Sequence, residues 1–502
     1  MAISFNTIPS TGRVPFFYAE FDSSLAQGSG GALAYKTLLI GQGTSEATAS
    51  ANELYTVTSK DSAKVLFGKG SELARMVEAA IAGNSRMELG CVMLAAGAGA
   101  AATATLTASV GETGVSAGTA RIYVGGRRVV VGIAAMTPDA EAETPVTAAD
   151  IAASVATAIA EAINADGDLP VTAAASDAGV TLTAKCAGEA GNGIDLRVGY
   201  YSGEELPAGL TVTPTAFTGG SGAPDVTDAF AAIGDEWYQL IACPYADAAN
   251  LAVIKTEMAD RDDCVRQIGG AVIVPGVGNL SALQTLGAAQ NSRHIVVIPC
   301  HGVPTAPDEL VAEVAVVVAG AAETDPARPF QTLPLSNAKA AVIGDRFTMA
   351  EREILLKNGV ATIVSGNDGV VRLERIITTY RTNASGGADT AWLDLTTLLT
   401  LEYIRWNLRN TFQTKYPRHK LADDDARFGA GQAVITPKIA KAECVALFGT
   451  WEEKGLVEGI DRFKADLVVE RNASDPNRLD FLLTPDLINQ FIVGAAKIAF
   501  VL

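Results

Sequence analysis

From Val226 to Tyr380 the chain alternates helical stretches with short apolar runs at Tyr238–Ala242, Ala271–Val274, His294–Ile298, Ala340–Val342 and Ala361–Val364. Strand–helix alternation of this kind predicts an α/β sheet. Pro334–Asn337 and Ser365–Gly369 read as turns. The same grammar appears upstream. Lys36–Ile40 (KTLLI) reads as a buried strand, and Ser59–Val65 starts a helical pattern. Ser71–Ala82 places Leu73, Val77 and Ile81 on one helical face, and Leu89–Leu94 reads as a second strand.

Composition breaks between these two stretches. Residues 96–225 carry 5 Lys/Arg against 14 Asp/Glu, a net −9 out of −18 for the 502-residue chain. A strand at Thr103–Ser109 and a hairpin of Ala120–Tyr123 with Arg128–Ile133 around Gly125-Gly126 are expected. A helix follows, with Thr147 as N-cap, Asp150 in its first turn and Ile151, Val155, Ile159 and Ile163 at four-residue spacing. Strands near Val171–Ala175 and Val180–Ala184 come next. Gly-rich seams (AAGAGAAATA and TPTAFTGGSGAPD) flank the segment, so 96–225 reads as a small α+β domain inserted into a main α/β domain of 36–95 and 226–380.

The ends differ from this core. Residues 1–35 alternate Ile3, Phe5 and Ile8 with polar residues, continue through Phe16–Phe21, and close on a GSGG run: an extended, strand-capable arm on a tether. Residues 381–490 mix a helix at Trp392–Thr411, a helix starting at Thr436-Pro437, and strand-like Phe463–Glu470 and Leu479–Leu483. Phe491–Leu502 reads as a terminal strand arm. From Ala350 onward 19 Lys/Arg stand against 20 Asp/Glu, so this region is near neutral and rich in both signs.

The charge balance disfavours nucleic acid and anionic membrane as partners. No apolar run spans about 30 Å of hydrocarbon; Phe491–Leu502 is broken by Gly494 and Lys497. The N-terminus lacks a basic region followed by an apolar one, so no secretory signal is expected. Six scattered cysteines without CxxC read as reduced, mostly buried thiols. Three histidines form no HxH, HxxxH or HExxH, so no metal site is expected. Cys300-His301 is the best nucleophile pair, but neighbours on a strand point to opposite faces. Phe67–Ser71 and Gly41–Gly43 lack the glycines of phosphate-binding loops and read as turns. Asp260–Asp263 and Asp423–Asp425 read as solvated acidic faces. No catalytic residue, cofactor or metal is expected, and the chain does not read as an enzyme.

Several motifs, in order, resemble the tail sheath subunits of Mu-like contractile phages. They are Ile3–Asn6 with Ile8-Pro9 and Arg13–Pro15; Thr37–Gly43; Arg121–Arg128; Leu169–Ala173; Leu182–Lys185; Gly188–Asp195; Trp237-Tyr238; Cys243–Tyr245; and Leu401–Arg409. Gly359–Thr362 followed by Arg375–Tyr380 (RIITTY) is the most specific. The resemblance covers essentially the whole chain. It implies a structural subunit that stacks as hexameric rings around a tail tube, and contracts to drive the tube through the host envelope for genome ejection. Its partners would be itself, the tail tube protein, and baseplate and tail terminator proteins. Its place would be the virion, after assembly in the host cytoplasm. Strand-donating arms would keep subunits linked as they move, which marks Ile3, Phe5, Ile8, Phe17, Phe491, Ile492 and Val493 as interface residues. Arg375, Arg405 and Arg409 would pair with neighbouring carboxylates. The alternatives are the sheath of a phage-tail-like bacteriocin and, from another class, a cytosolic α/β enzyme with an inserted lid.

Overall fold

The computed structural model describes residues 33–141, 145–429 and 431–501. Residues 34–402 with 487–502 form one compact body, and 403–486 form a second.

The first body opens with β1 (Lys36–Gln42), β2 (Leu54–Val57), α1 (Lys60–Phe67), α2 (Glu72–Gly83) and β3 (Glu88–Leu94). Ser59 and Ser71 cap the two helices, their hydroxyls accepting from Ser62 N and Ala74 N. Next come β4 (Thr103–Val110), β5 (Gly118–Val124), β6 (Arg127–Ile133), α3 (Ala148–Ala165), β7 (Val171–Ser176), β8 (Gly179–Ala184), β9 (Leu196–Val198) and β10 (Leu210–Pro214). The two-residue turn between β5 and β6 puts both Gly125 (φ 56°) and Gly126 (φ 76°) in the left-handed region that such a hairpin demands. Thr147 and Asp150 form a reciprocal capping box on α3. The chain continues through α4 (Thr227–Ile233), β11 (Leu240–Ala242), α5 (Ala248–Arg261), β12 (Ala271–Gly276), α6 (Leu280–Gln290), β13 (Ile295–Pro299) and α7 (Pro307–Thr324). Then follow β14 (Pro334–Lys339), α8 (Met349–Lys357), β15 (Thr362–Ser365) and β16 (Val370–Arg375).

The main sheet has the order β13-β12-β11-β1-β3-β2, parallel except for β2. Its strands are continuous apolar runs because both faces are covered. α2 and α7 lie on one face, while α4, α5, α6 and α8 close a core on the other with Leu38, Ile40, Ile241, Val272 and Val297. The chain leaves β1 toward β3 in one direction and later fills β11, β12 and β13 in the other. The order therefore reverses between β1 and β11.

Residues 103–214 build two further sheets, β10-β4-β8-β7 and β6-β5-β9, over α3. They share a core of their own, including Leu106, Ile122, Val131, Ile151, Val155, Ile159 and Leu182. A third small sheet, β14-β16-β15, follows the main one.

Helix α9 (Leu395–Lys415) leads into the second body, which contains β17 (Lys420–Leu421), β18 (Val434–Ile435), α10 (Pro437–Glu453), β19 (Val457–Glu458), α11 (Ile460–Asp466), β20 (Val468–Arg471) and β21 (Leu479–Leu482). Phe448 stacks on Phe463 at 4.2 Å, and the buried Trp451 indole donates to Asn407 Oδ1 at 2.8 Å.

The sequence reading is corrected at four places. Pro334–Asn337 is not a turn but most of β14, where Pro334 occupies the first residue of an edge strand and needs no ladder donor. Ala340–Val342 lies beyond that strand. Phe463–Glu470 divides: Phe463 and Leu467, four apart and both buried, follow the helical period of α11, and only β20 is extended. Residues 491–501 form no strand in the chain, since a strand exists only against a partner.

Candidate functional site

The C-terminal segment leaves large apolar side chains in water. Phe491 is 78% exposed, Val493 80%, Ile498 89%, Phe500 80% and Val501 99%, with Ile492 half-buried. Gln331 Nε2 donates to Phe491 O at 3.5 Å, and Gln490 bonds to Thr396, so among the described residues these bonds moor the segment to the first body at its beginning. In the second body β20 and β21 make a two-stranded ribbon, so among the described residues each has one unpaired edge. Val468, Phe481 and Leu482 on it are exposed. The candidate residues Ile3, Phe5, Ile8 and Phe17 lie outside the described residues.

The basic candidates are engaged or half-buried. Arg375, the last residue of β16, makes a two-pronged pair with Asp394, both contacts at 3.1 Å. Arg405 and Arg409 sit one turn apart on α9, half-buried on one face. The RIITTY motif that Arg375 opens is a seam: Thr379 N donates to Ile295 O (2.9 Å), its hydroxyl donates to Ser292 O (3.0 Å), and the Thr378 hydroxyl donates to Trp392 O (2.7 Å). Beside it, Arg375, Ile377, Tyr380, Arg381, Leu356 and Lys357 line a cleft of about 380 Å³.

In an open α/β sheet the ligand crevice lies at the carboxyl ends of the strands where the order reverses, here beside Gln42 and Pro244-Tyr245. The chain's own acidic segment fills it. Gln42 Nε2 donates to Ala187 O (2.8 Å), and the Cys186 thiol lies 3.8 Å from Gly43 O. Pro170, Cys186, Ala190 and Ile194 then close over Pro244, Pro275 and Pro307, leaving a cavity of about 30 Å³, room for about one water. Acidic residues crowd the two helix starts at this point. Arg75 Nη2 donates to Asp308 at 2.5 Å, and Arg75 Nε lies 3.2 Å from Glu309 without hydrogen-bond alignment. Arg127, the first residue of β6, reaches Glu309 (3.2 Å) and Glu78 (2.8 Å). Glu72 accepts from the Tyr245 hydroxyl (2.7 Å) and from Gln42 N (3.2 Å). Such a lining repels phosphate and stitches the acidic segment to the main sheet.

The other sequence candidates resolve locally. Burial pushes the Cys300 thiol up to about 12, and His301 stacks on Phe347 at 4.9 Å, so the pair is no activated nucleophile. All six cysteines are free thiols, and only Cys264 is exposed. Asp260 pairs with Arg266, Asp423 with Arg471, and Asp424 accepts from Lys438 N. Among the described residues no cluster of three or more His, Cys, Asp or Glu is arranged for a metal. Gly68 and Gly70 have positive φ, and Ser71 caps α2, which makes Phe67–Ser71 a helix-entry turn.

The chain belongs to the phage tail sheath family. Residues 219–379 match the phage tail sheath protein central domain, and 387–500 match the phage tail sheath C-terminal domain. Over 503 residues, and over the whole of both chains, it is 37% identical to the Mu-like prophage FluMu tail sheath protein of Haemophilus influenzae. That family is structural, not enzymatic. Solved structures resemble it more distantly. A sheath tail protein of Desulfitobacterium hafniense is 15% identical (95% of this chain, 100% of that one, TM-score 0.46). The sheath complex of an extracellular contractile injection system in its contracted state is 8% identical (98% of each chain, TM-score 0.47).

Proposed function

We propose that this chain is the polymerising subunit of a contractile tail sheath. It stacks as hexameric rings around a tail tube, bounded by baseplate and terminator proteins, and contracts to drive the tube through a host envelope during genome ejection. Subunits assemble in the host cytoplasm and end up in the virion. The exposed C-terminal segment carries the linking part of this reading. A tail with five large apolar side chains mostly in water has no reason to persist in an isolated monomer, but is suited to lie as a strand on another subunit. The β20–β21 ribbon is a suitable acceptor, because a two-stranded ribbon is marginal alone and its edges invite pairing. The N-terminal arm, through Ile3, Phe5, Ile8 and Phe17, serves as a second link. Arg375, Arg405 and Arg409 contribute to ring register. The acidic domain 96–225 faces solvent, where its like charges spread. Negative-stain microscopy of the purified protein tests the reading: rods or rings with a hollow centre are expected, and a monodisperse small globular oligomer at every concentration would overturn it.

A further inference from the structure

The crevice at the ends of β1 and β11 holds one carboxyl group more than its ion pairs use. Arg75 and Arg127 bring two positive charges, and Glu78, Asp308 and Glu309 already surround them with three negative ones. Glu72 is a fourth acid, 4% exposed. The groups that face it come from every wall: Arg75 from its own helix, Asp308 from α7, Cys243 and Tyr245 from the end of β11, Gln42 from β1, and Cys186 from the acidic segment. Beside the Cys186 contact, one tie to that segment runs through Gln42. Gln42 gives its backbone N–H to Glu72 and its side-chain amide to Ala187 O. Burial and then the nearby Asp308 push the Glu72 carboxyl up to about 7, against the pull of the Tyr245 hydroxyl, Arg75 and the Gln42 N–H.

We propose that Glu72 is a proton-operated latch for the acidic segment: neutral, it lets residues 184–194 seat in the crevice, and ionised, it loosens that seat. The ionised carboxylate faces a cavity of about 30 Å³ whose cations are already shared, so it must recruit water. Room for water comes from the wall that is not sheet, namely the short turn Glu189–Gly193 and the loop before it. The proton passes to solvent as that wall lifts. The sign follows from the two states. The seated form keeps the proton up to about pH 7, whereas the solvated side chain releases it near 4.5. Seating is therefore strongest below pH 4.5 and weakens as pH rises through 7.

Hydrogen exchange followed by mass spectrometry on the full chain tests this between pH 5.5 and 8.5, after correction for base-catalysed chemical exchange. Peptides across 185–194 report the lifting of that wall through Gly188 N, bonded to Ala100 O, and Glu189 N, bonded to Gly222 O, bonds to the rest of the acidic segment that must break as the turn lifts. Peptides from α10 serve as the reference. At tenfold per pH unit of displacement, with 4.5 for the solvated carboxyl and about 7 for the seated one, seam opening should rise by about 30-fold relative to α10 across this window, with a midpoint near 7. Glu72→Gln should flatten that rise. Tyr245→Phe removes a donor that favours the carboxylate and should move the midpoint to higher pH. A seam that tracks α10 in the wild type, a Glu72→Gln protein with the wild-type rise, or an unmoved midpoint in Tyr245→Phe would each overturn the latch. If Glu72→Gln does not fold, the Tyr245→Phe midpoint decides alone.

Discussion

Replacing Phe491, Ile498 and Phe500 together by serine separates folding from assembly. The three side chains are 78%, 89% and 80% exposed in the single chain. Removing them takes almost nothing from the monomer, and its unfolding free energy should stay within about 0.5 kcal/mol of wild type, as for surface changes generally. If the same side chains are buried when the segment lies on a neighbour, each contributes about 1.5–3 kcal/mol. The cost of ordering the tail offsets much of that. Keeping half of the gross sum leaves about 2–4 kcal/mol, and at 1.4 kcal/mol per tenfold the critical concentration should rise by roughly 30- to 1,000-fold. The Gln331 bond to Phe491 accepts at the backbone and survives the change. Sedimentation velocity over a concentration series measures assembly, and urea unfolding below the wild-type critical concentration measures the monomer. Polymerisation at the wild-type concentration, or a monomer destabilised by more than about 1 kcal/mol, would refute the reasoning.

Arg75→Met strands Asp308 in the crevice, leaves Glu309 to Arg127 alone, and should cost about 3–5 kcal/mol, read as a lower urea midpoint. An unchanged midpoint would mean that the Arg75 pairs contribute nothing net to stability. The double reversal Arg405→Glu and Arg409→Glu should block assembly while the monomer keeps its far-ultraviolet spectrum and cooperative melting; normal rods from that protein exclude the interface role of the pair.

Much of this fold is legible in the sequence wherever one local rule decides the outcome. KTLLI is a strand because both sheet faces are covered, α3 starts where Thr147 and Asp150 reciprocate, and Gly125-Gly126 closes a hairpin because both positions need positive φ. Elements decided by their partners are harder to read. β14 carries turn-like residues and becomes a strand through its pairing with β16, with a register shift between Leu335 and Lys339. α11 looks extended until Phe463 and Leu467 are seen to share one buried face. The family was readable from the order of its motifs, and the structure adds what RIITTY does: it laces residues 376–379 to the start of β13 and to Trp392. The crevice cluster had no such signal, because Arg75 meets Asp308 across 233 residues. The available clue was chemical: acids at Glu72 and Asp308-Glu309 open helices that are otherwise apolar on the sheet-facing side.

The central claim is that subunits are joined by donated strands. A reconstruction of the assembled rod that traces the backbone of residues 485–502 tests it most directly. The account predicts that this segment runs as a strand hydrogen-bonded to the sheet of a different copy, with Phe491, Ile498 and Phe500 covered there. A rod in which the segment stays on its own subunit, its apolar side chains still in water, would contradict it.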